Sequence, residues 1–236
     1  GTDVSKEASD MILTDDNFAT IVTAIEEGRN IYDNIKKFVI YLLSANMGEI
    51  LTIFTAIMIN LPLPLLPLQI LWMNLITDGL PALALGVEPA EPDIMKRKPN
   101  DPKEKILNRK TLVYVLVVGF IYVIGTLGLF YLELANGEAK ARTVAFTTLI
   151  MFEMFHALAI RSYSLIYKIG FFSNKKLLLA IASSVVLQAM VIYIPFFNTI
   201  FDTTPLTAID WVRIIAVSST IFFILEAKKL IWPENK

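Results

Sequence analysis

The sequence predicts an all-α polytopic membrane protein, a six-transmembrane-helix bundle with a short cytoplasmic lead-in and a stalk helix. Hydrophobic residues make up 55% of the 236 positions, and the mean hydropathy is +0.59. Several apolar segments approach the roughly 20 residues that a helix needs to cross a bilayer. A soluble domain of this length would not be so apolar, so we expect most of the chain to lie in a membrane.

Six segments are predicted to span the bilayer. They lie at about 35–59, 67–85, 112–132, 144–160, 177–197 and 211–230. An even number of spans returns the chain to the side on which it started. We therefore divide the chain into a lead-in, residues 1–34, and a transmembrane domain, residues 35–236.

The lead-in is not membrane-like. Residues 10–13 predict a short strand, and the polar residues 15–17 are N-cap candidates for a helix with apolar residues Phe18, Val22 and Ile25 at helical spacing. We expect that helix to continue as a stalk into the first span. A continuous helix would join the soluble part mechanically to the membrane part.

The distribution of Lys and Arg predicts the orientation. Positive charges crowd the start of the first span, the connections 96–110 and 161–176, and the end of the last span, whereas the loops 60–66 and 198–210 have none. Short flanks rich in Lys and Arg stay cytoplasmic, and Lys140 with Arg142 is a weak exception. Both termini are therefore predicted to be cytoplasmic.

Charge and cysteine content exclude several classes of function. The net charge of −1 and the pI near 5.9 give no basic field for nucleic acid, so we expect none as a partner. The basic connections are explained by topology and by the anionic headgroups of the lipid bilayer. The sequence contains no cysteine, which excludes disulfides and thiolate metal sites.

Polar side chains inside the spans are the candidate cation ligands. In chain order they are Asn46, Glu49, Asn74, Thr77, Asp78 and Glu153. Those within one span are three or four residues apart, which puts them on one helix face. A membrane-embedded carboxylate costs roughly 2.5 to 3.5 kcal/mol, which indicates a cation path. Carboxylate, amide and hydroxyl oxygens suit a hard cation such as Ca²⁺.

The alternative interpretation is that these polar residues have a purely structural role. Asn46 alone is more often a residue that hydrogen-bonds neighbouring helices than a ligand. His156, the only histidine, lies one turn from Glu153 and is better explained by packing or hydrogen bonding than by metal binding. If the carboxylates are structural too, replacing Asp78 would impair folding without a specific loss of ion binding.

Gly79 and Pro81 predict a broken helix directly behind Asp78. Pro81 cannot donate to the carbonyl of Thr77, four residues back, and its ring disfavours a straight helix. Broken helices at membrane depth line cavities or are buried in protein, and transporters use their freed carbonyls as ion ligands.

Several segments together resemble one family. They are GTDVSKEASDMIL at 1–13, DDNF at 15–18, GRNIYDNIKKF at 28–38, SANMGE at 44–49, LWMNLITDGLPA at 71–82 and DIMKRKP at 93–99. Their order resembles the P-type cation-transporting ATPases, especially the sarco/endoplasmic reticulum, secretory-pathway and bacterial calcium pumps. The resemblance implies that residues 1–34 end a phosphorylation domain and begin its stalk, and that the spans are the last six of ten.

The resemblance also implies roles for individual residues. Positions matching Asn46, Glu49, Thr77, Asp78 and Glu153 form one calcium site in the two-site reticulum pumps. Those matching Asn74 and Asp78 contribute to a second, whose other ligands lie upstream.

The implied function is an ATP-driven translocase that moves Ca²⁺ out of the cytoplasm through an aspartyl phosphate, with protons counter-transported. The DKTGT and TGDGVND motifs and the nucleotide-binding domain are not in this sequence. It therefore has no catalytic residue, and we expect the chain to be inactive alone. Mg²⁺ and ATP would bind outside it, in other parts of the pump. The partners that the family implies are the actuator, nucleotide-binding and phosphorylation domains and the first four transmembrane helices.

Alternatives remain at this point. The short loop at 133–142 is similar to bacterial and secretory-pathway members, which favours a bacterial plasma membrane. Asn74 stands where sodium/potassium pumps carry an aspartate, which argues against Na⁺, although a pump for Mn²⁺ or Na⁺ stays open. A non-ATPase, ion-coupled secondary transporter would also have broken helices and midplane carboxylates.

Overall fold

The computed structural model describes residues 2–15, 17–99 and 105–232. Two features used above, Asp16 in the predicted cap and Lys103 in a basic connection, lie outside the described residues. The predicted strand at 10–13 is wrong, since this segment is irregular and the described residues include no strand. A strand is stable only when it pairs with another, and none is present for it to join.

All the regular secondary structure of the described residues is helical, which confirms the all-α prediction. The helices, in chain order, are α1 (Asp3–Glu7), α2 (Phe18–Met58), α3 (Pro67–Trp72), α4 (Gly79–Leu85), α5 (Arg109–Glu133), α6 (Glu138–Ile160), α7 (Ile166–Ile169), α8 (Lys175–Tyr193), α9 (Pro195–Phe201), α10 (Ala208–Ser218) and α11 (Thr220–Ile231). A π-helical turn, Met73–Thr77, joins α3 to α4, and single 3₁₀ turns occupy Ile94–Lys96 and Leu134–Asn136.

Six helical segments in the described chain are long and apolar enough to cross a membrane, as predicted. The predicted stalk and first span form one helix, α2, of 41 residues, whose N-cap Asn17 accepts a hydrogen bond from the Ala19 N–H. The fifth segment ends at Tyr193, before its predicted end at 197, because Pro195 begins a separate helix.

Helix α6 is the centre of the bundle. In its most apolar window 89% of residues are buried, whereas the other five spans have 28% to 44%. It is apolar on all sides, which is typical of a buried helix. The hydroxyls of its threonines form hydrogen bonds within the helix: Thr143, Thr147 and Thr148 donate to the carbonyls four residues back at 2.6 to 2.9 Å. The helix therefore packs against α5, α10 and α11 without orphaned hydroxyls at these positions.

One end of the bundle, here called the stalk end, is held by the buried carboxylate of Glu88. Its Oε1 accepts hydrogen bonds from Arg161 Nε at 3.0 Å and Nη2 at 2.7 Å, and its Oε2 accepts one from Asn174 Nδ2 at 2.6 Å. Asn34 of α2 donates to the Glu88 backbone carbonyl at 2.8 Å. Glu88 thus joins the ends of α6 and α8 to α2.

Glu91, three residues on, is the second buried carboxylate of the stalk end. It accepts from Lys37 Nζ at 3.3 Å, Arg97 Nη2 at 2.7 Å, the Ser162 hydroxyl at 3.0 Å and the Tyr163 N–H at 3.0 Å. Burial alone would raise the pKa of Glu91, but the Lys37 ammonium and the other donors hold that pKa below its ordinary value of 4.5.

The opposite end, here called the far end, has its own ionic cluster. Glu133, only 3% exposed, accepts from Arg213 Nη1 at 2.9 Å and pairs with Lys140 Nζ at 3.2 Å. Lys140 also lies 3.4 Å from the Asp210 carboxylate. The cluster joins α5, α6 and α10.

Replacing Arg161 with Ala should lower the free energy of unfolding by about 3–5 kcal/mol, because Glu88 would stay buried without its cationic partner. Denaturant titration of the purified protein in detergent measures the loss. The double variant Arg161→Met/Glu88→Met should lose less, since it removes both charges. Lys168→Ala, at an exposed position, is the control, and an equal loss in Lys168→Ala and Arg161→Ala would contradict the prediction.

Glu91 should give stability that depends on pH. A carboxyl whose pKa is lower in the folded state stabilises fully above 4.5, and this contribution is lost as the pH falls through the folded pKa. The thermal unfolding midpoint of the wild type should therefore decrease as the pH is lowered below about 4.5. The midpoint of Glu91→Gln should decrease less over the same pH range. Thermal unfolding at a series of pH values measures both, with the exposed Glu27→Gln as a control that keeps the wild-type slope.

Candidate cation site

Three helical segments bring one carboxylate each to the same point of the bundle. Glu49 comes from α2, Asp78 from the junction of the π-helical turn with α4, and Glu153 from the middle of α6. One oxygen from each lies within 4.8 Å of the others. The structure therefore brings together the three carboxylates that the sequence singled out.

The three side chains are buried, and most of their oxygens have no donor. Glu49 is 3% exposed, and Asp78 and Glu153 are fully buried. Both oxygens of Asp78, both of Glu153 and Oε1 of Glu49 accept no hydrogen bond from any residue that the structure describes. A buried charge without a partner is strongly unfavourable, so five such oxygens in one place indicate a site for a cation.

The helix is interrupted before Asp78 and not behind it as predicted: the π-helical turn Met73–Thr77 precedes Asp78, and Gly79–Leu85 is a regular α-helix. The Asp78 N–H donates to the Met73 carbonyl, five residues back, at 2.8 Å, and the α-helical pattern resumes with Ala82 N–H to Asp78 O at 3.0 Å. Pro81 has no N–H to offer the Thr77 carbonyl. Single π-helical turns are frequent at functional sites, and this one gives the segment an extra residue beside the carboxylate.

The neutral candidates are placed less uniformly. Asn74, on the exposed side of the turn, donates from Nδ2 to Glu49 Oε2 at 2.9 Å and to the Ile70 carbonyl at 3.0 Å. Asn46 donates to the Leu42 carbonyl of its own helix at 2.9 Å. The Thr77 hydroxyl likewise donates to the carbonyl four residues back, at 3.2 Å. Their amide and hydroxyl oxygens keep lone pairs that a cation could use.

His156 is a hydrogen-bonding residue, as the structural interpretation of this histidine predicted. It is fully buried, and Nε2 lies 2.9 Å from the Tyr114 hydroxyl and Nδ1 3.2 Å from the Tyr122 hydroxyl. The Tyr41 ring lies 5.7 Å from the imidazole. These tyrosines could not be recognised from the sequence, because an aromatic residue in an apolar span carries no local signal of its long-range partner.

Comparisons with known proteins agree with the resemblance seen in the sequence. The family model described as "Cation transporting ATPase, C-terminus" matches residues 62–231. A calcium-transporting ATPase of Bacillus subtilis is 46% identical over 233 residues, which are 98% of this chain and 26% of that protein.

Two eukaryotic relatives are almost as similar. Calcium-transporting ATPase 1 of Saccharomyces cerevisiae is 42% identical over 240 residues, covering 100% of this chain and 25% of that protein. Calcium-transporting ATPase type 2C member 2 of Rattus norvegicus is 42% identical over 234 residues, covering 98% and 25%. The chain spans about a quarter of the length of the curated relatives it matches.

Neutralising one carboxylate should stabilise the cation-free bundle. Glu153→Gln keeps the side-chain shape but removes a charge that the cation-free site carries once its carboxylates are ionised. At alkaline pH the unfolding midpoint without cations should therefore rise by about 2–4 °C for each kcal/mol recovered. The same variant should lose most of the further rise that Ca²⁺ gives wild type. Thermal unfolding of the full-length protein with and without Ca²⁺ measures both effects.

Glu133→Gln is the matched control for that experiment. Glu133 is equally buried but paired with Lys140 and Arg213 at the far end. Its replacement should therefore lower the midpoint and leave the Ca²⁺-dependent rise intact. If Glu153→Gln behaved in the same way as Glu133→Gln, the three carboxylates would not form a cation site.

Proposed function

The chain belongs to the cation-transporting ATPase family, and from that premise we propose that it is the C-terminal membrane part of an ATP-driven calcium pump. The pump moves Ca²⁺ out of the cytoplasm through an aspartyl-phosphate cycle. The observation that carries this proposal is the convergence of Glu49, Asp78 and Glu153 inside the helical bundle.

The spacing of these oxygens suits a calcium ion. Oxygen ligands of Ca²⁺ lie about 2.3–2.6 Å from the ion, so two on opposite sides are about 4.6–5.2 Å apart. The three carboxylates, with one oxygen each within 4.8 Å of the others, fit around one such ion. Asn74 donates a hydrogen bond to Glu49 at the edge of the site, and a turn of its amide would present the oxygen to an ion bound there.

The donor set also argues against softer metals. Thiolate and imidazole ligands select zinc, copper and related ions, whereas carboxylates, amides and carbonyls suit hard cations. The sequence has no cysteine, and the single histidine is engaged by two tyrosines. The ligands supplied by this chain are therefore all oxygens.

In the proposed cycle this chain binds, holds and releases the ion. Asp78 sits where the π-helical turn has interrupted the regular hydrogen bonds, so the carbonyls of that turn can join or leave the ion with little loss of helix. Glu49 lies on α2, the helix that also forms the stalk. A shift of α2 relative to the π-helical turn opens the site. When Ca²⁺ leaves, protons taken up by the carboxylates neutralise their mutual repulsion.

The remaining parts of the pump are proposed to lie in the rest of the full-length protein. Residues 1–34 would end the phosphorylation domain. ATP and Mg²⁺ would bind outside this chain, on the rest of the phosphorylation domain and on the nucleotide-binding domain, so the chain alone would be inactive. The first four membrane helices would complete the ion sites, with Asn74 and Asp78 serving a second one. We place the pump in a lipid bilayer, with both termini cytoplasmic, in a bacterial plasma membrane.

An ion-coupled secondary transporter is the weaker candidate. Midplane carboxylates and a broken helix suit both classes. The relatives named above are all ATPases, and α2 extends well outside the membrane part, which a secondary transporter does not require.

The proposal predicts that ATP hydrolysis by the full-length protein in lipid is activated by micromolar Ca²⁺. Asp78→Asn and Glu49→Gln should each raise the half-activating concentration by more than about tenfold, because each removes a charged ligand. Parallel titrations with Mn²⁺ and Na⁺ define which ions are carried.

Asp202→Asn is the control for these titrations. Asp202 is an exposed carboxylate, paired with Arg142 at 2.6 Å outside the site, so its loss should leave Ca²⁺ activation unchanged. ATP hydrolysis indifferent to Ca²⁺, or unchanged in both site variants, would refute the calcium-pump proposal. Activation by Na⁺ alone would keep the pump and change its ion.

A further inference from the structure

We propose that Tyr122 of α5 is a positioning residue for the cation site, one that keeps Glu49 and Glu153 converged on Asp78. This inference rests on the proposed function, because it concerns the same carboxylates. Tyr122 is fully buried and reaches both α2 and α6 from a third helix that supplies none of the three carboxylates. It was not a candidate on sequence grounds.

Toward α6, Tyr122 contacts the residues on either side of Glu153. Its ring stacks on Phe152, with centroids 4.8 Å apart and planes inclined by 20°. Its hydroxyl lies 3.2 Å from Nδ1 of His156. Phe152 precedes Glu153 directly, and His156 follows it by three residues, on the same helix face. A rotation of α6 about its axis would therefore break the stack and the hydrogen bond together.

His156 makes this contact directional. A neutral imidazole has one N–H and one acceptor nitrogen, so with both nitrogens bonded to tyrosines, one hydroxyl donates and the other accepts. The second tyrosine is Tyr114, two turns before Tyr122 on α5, at 2.9 Å from Nε2. The imidazole is thus held from two levels of the same helix, which resists sliding of α6 along α5 as well as rotation.

Toward α2, Tyr122 packs against the backbone beside Glu49. A Cβ atom at Gly48 would collide with Cδ2 of the Tyr122 ring and meet Cβ and Cγ at 3.1 Å, so only glycine allows this approach. Gly48 is the residue before Glu49. The tyrosine ring therefore sets the distance between α2 and α5 at the level of the site.

One side chain thus fixes two of the three ligand helices. The carboxylates repel one another whenever they are ionised without a cation between them, and free helices would then move apart or rotate. Tyr122 opposes this by holding the backbone next to Glu49 and both flanks of Glu153. The site is kept ready for its ion by a residue that supplies no ligand atom.

The test uses Tyr122→Phe in the full-length protein, which keeps the ring and removes the hydroxyl bonded to His156. The Ca²⁺ concentration for half-maximal aspartyl-phosphate formation should rise by about three- to tenfold, the effect of one hydrogen bond, while the maximal level stays close to wild type. His156→Phe should act in the same direction. Tyr193→Phe is the control, since that hydroxyl is also bonded, to the Leu206 carbonyl at 2.8 Å, away from the site.

A double-mutant cycle with Glu153→Gln separates positioning from general weakening. If Tyr122 acts by holding Glu153, adding Tyr122→Phe to Glu153→Gln should change the half-maximal concentration by much less than it changes wild type. The inference would be overturned if the two substitutions changed the half-maximal Ca²⁺ concentration independently, so that their fold-changes multiplied. It would also be overturned if Tyr122→Phe and Tyr193→Phe had the same half-maximal Ca²⁺ concentration. If Tyr122→Phe is not recovered folded, the same cycle with Tyr114→Phe, at the half-buried end of the bridge, decides the question.

The proposed function fails in a different way. It fails if Asp78→Asn leaves Ca²⁺ dependence unchanged, whatever the tyrosine variants do. Ca²⁺ dependence lost in Asp78→Asn but normal in Tyr122→Phe would overturn only the positioning role.

Discussion

The structure depends on one constraint: the buried carboxylates of three helical segments lie within 4.8 Å of one another, and no cationic side chain among the described residues pairs with them. In an apolar interior the repulsion between like charges is many times what it would be in water. The packing of the bundle and the polar contacts away from these carboxylates must therefore hold the helices that carry Glu49, Asp78 and Glu153. The central position of α6, the close approach of α2 to α5 and the π-helical turn all serve that requirement.

The charges at the two ends of the bundle are arranged in the opposite way. At the stalk end Glu88 and Glu91 are matched by Lys37, Arg97 and Arg161, and at the far end Glu133 is matched by Lys140 and Arg213. Buried carboxylates with cationic partners fasten helices together. The middle of the bundle has carboxylates without such partners. This contrast, rather than the presence of acidic residues, distinguishes a binding site from a structural ion pair.

Much of the site could be predicted from the sequence because its signals are local. A carboxylate within an apolar span is unusual wherever it stands, and the spacing of Asn74 and Asp78 follows from helix geometry. Pro81 likewise predicted a broken helix. The spans were found for the same reason, since each depends only on its own composition.

What failed or was missed depends on partners distant in sequence. The predicted strand at 10–13 had suitable residues, but the described part of the chain offers no second strand for it to pair with. Tyr122 looks like any aromatic residue of an apolar span, and only the fold brings it against Gly48 and His156. Apart from Arg97, the hydrogen-bond partners of Glu91 come from α2 and from the residues just after α6, more than 50 residues away on each side.

The long helix α2 was predictable from the sequence, and its length has a mechanical consequence. At 1.5 Å per residue it is about 60 Å long, and Lys37, clamped to Glu91, lies about 28 Å from its outer end and about 18 Å from Glu49. If α2 pivots at Lys37, it acts as a lever with unequal arms. A displacement of its outer end then moves Glu49 in the opposite direction by about two thirds of that distance, and the force on Glu49 is correspondingly greater.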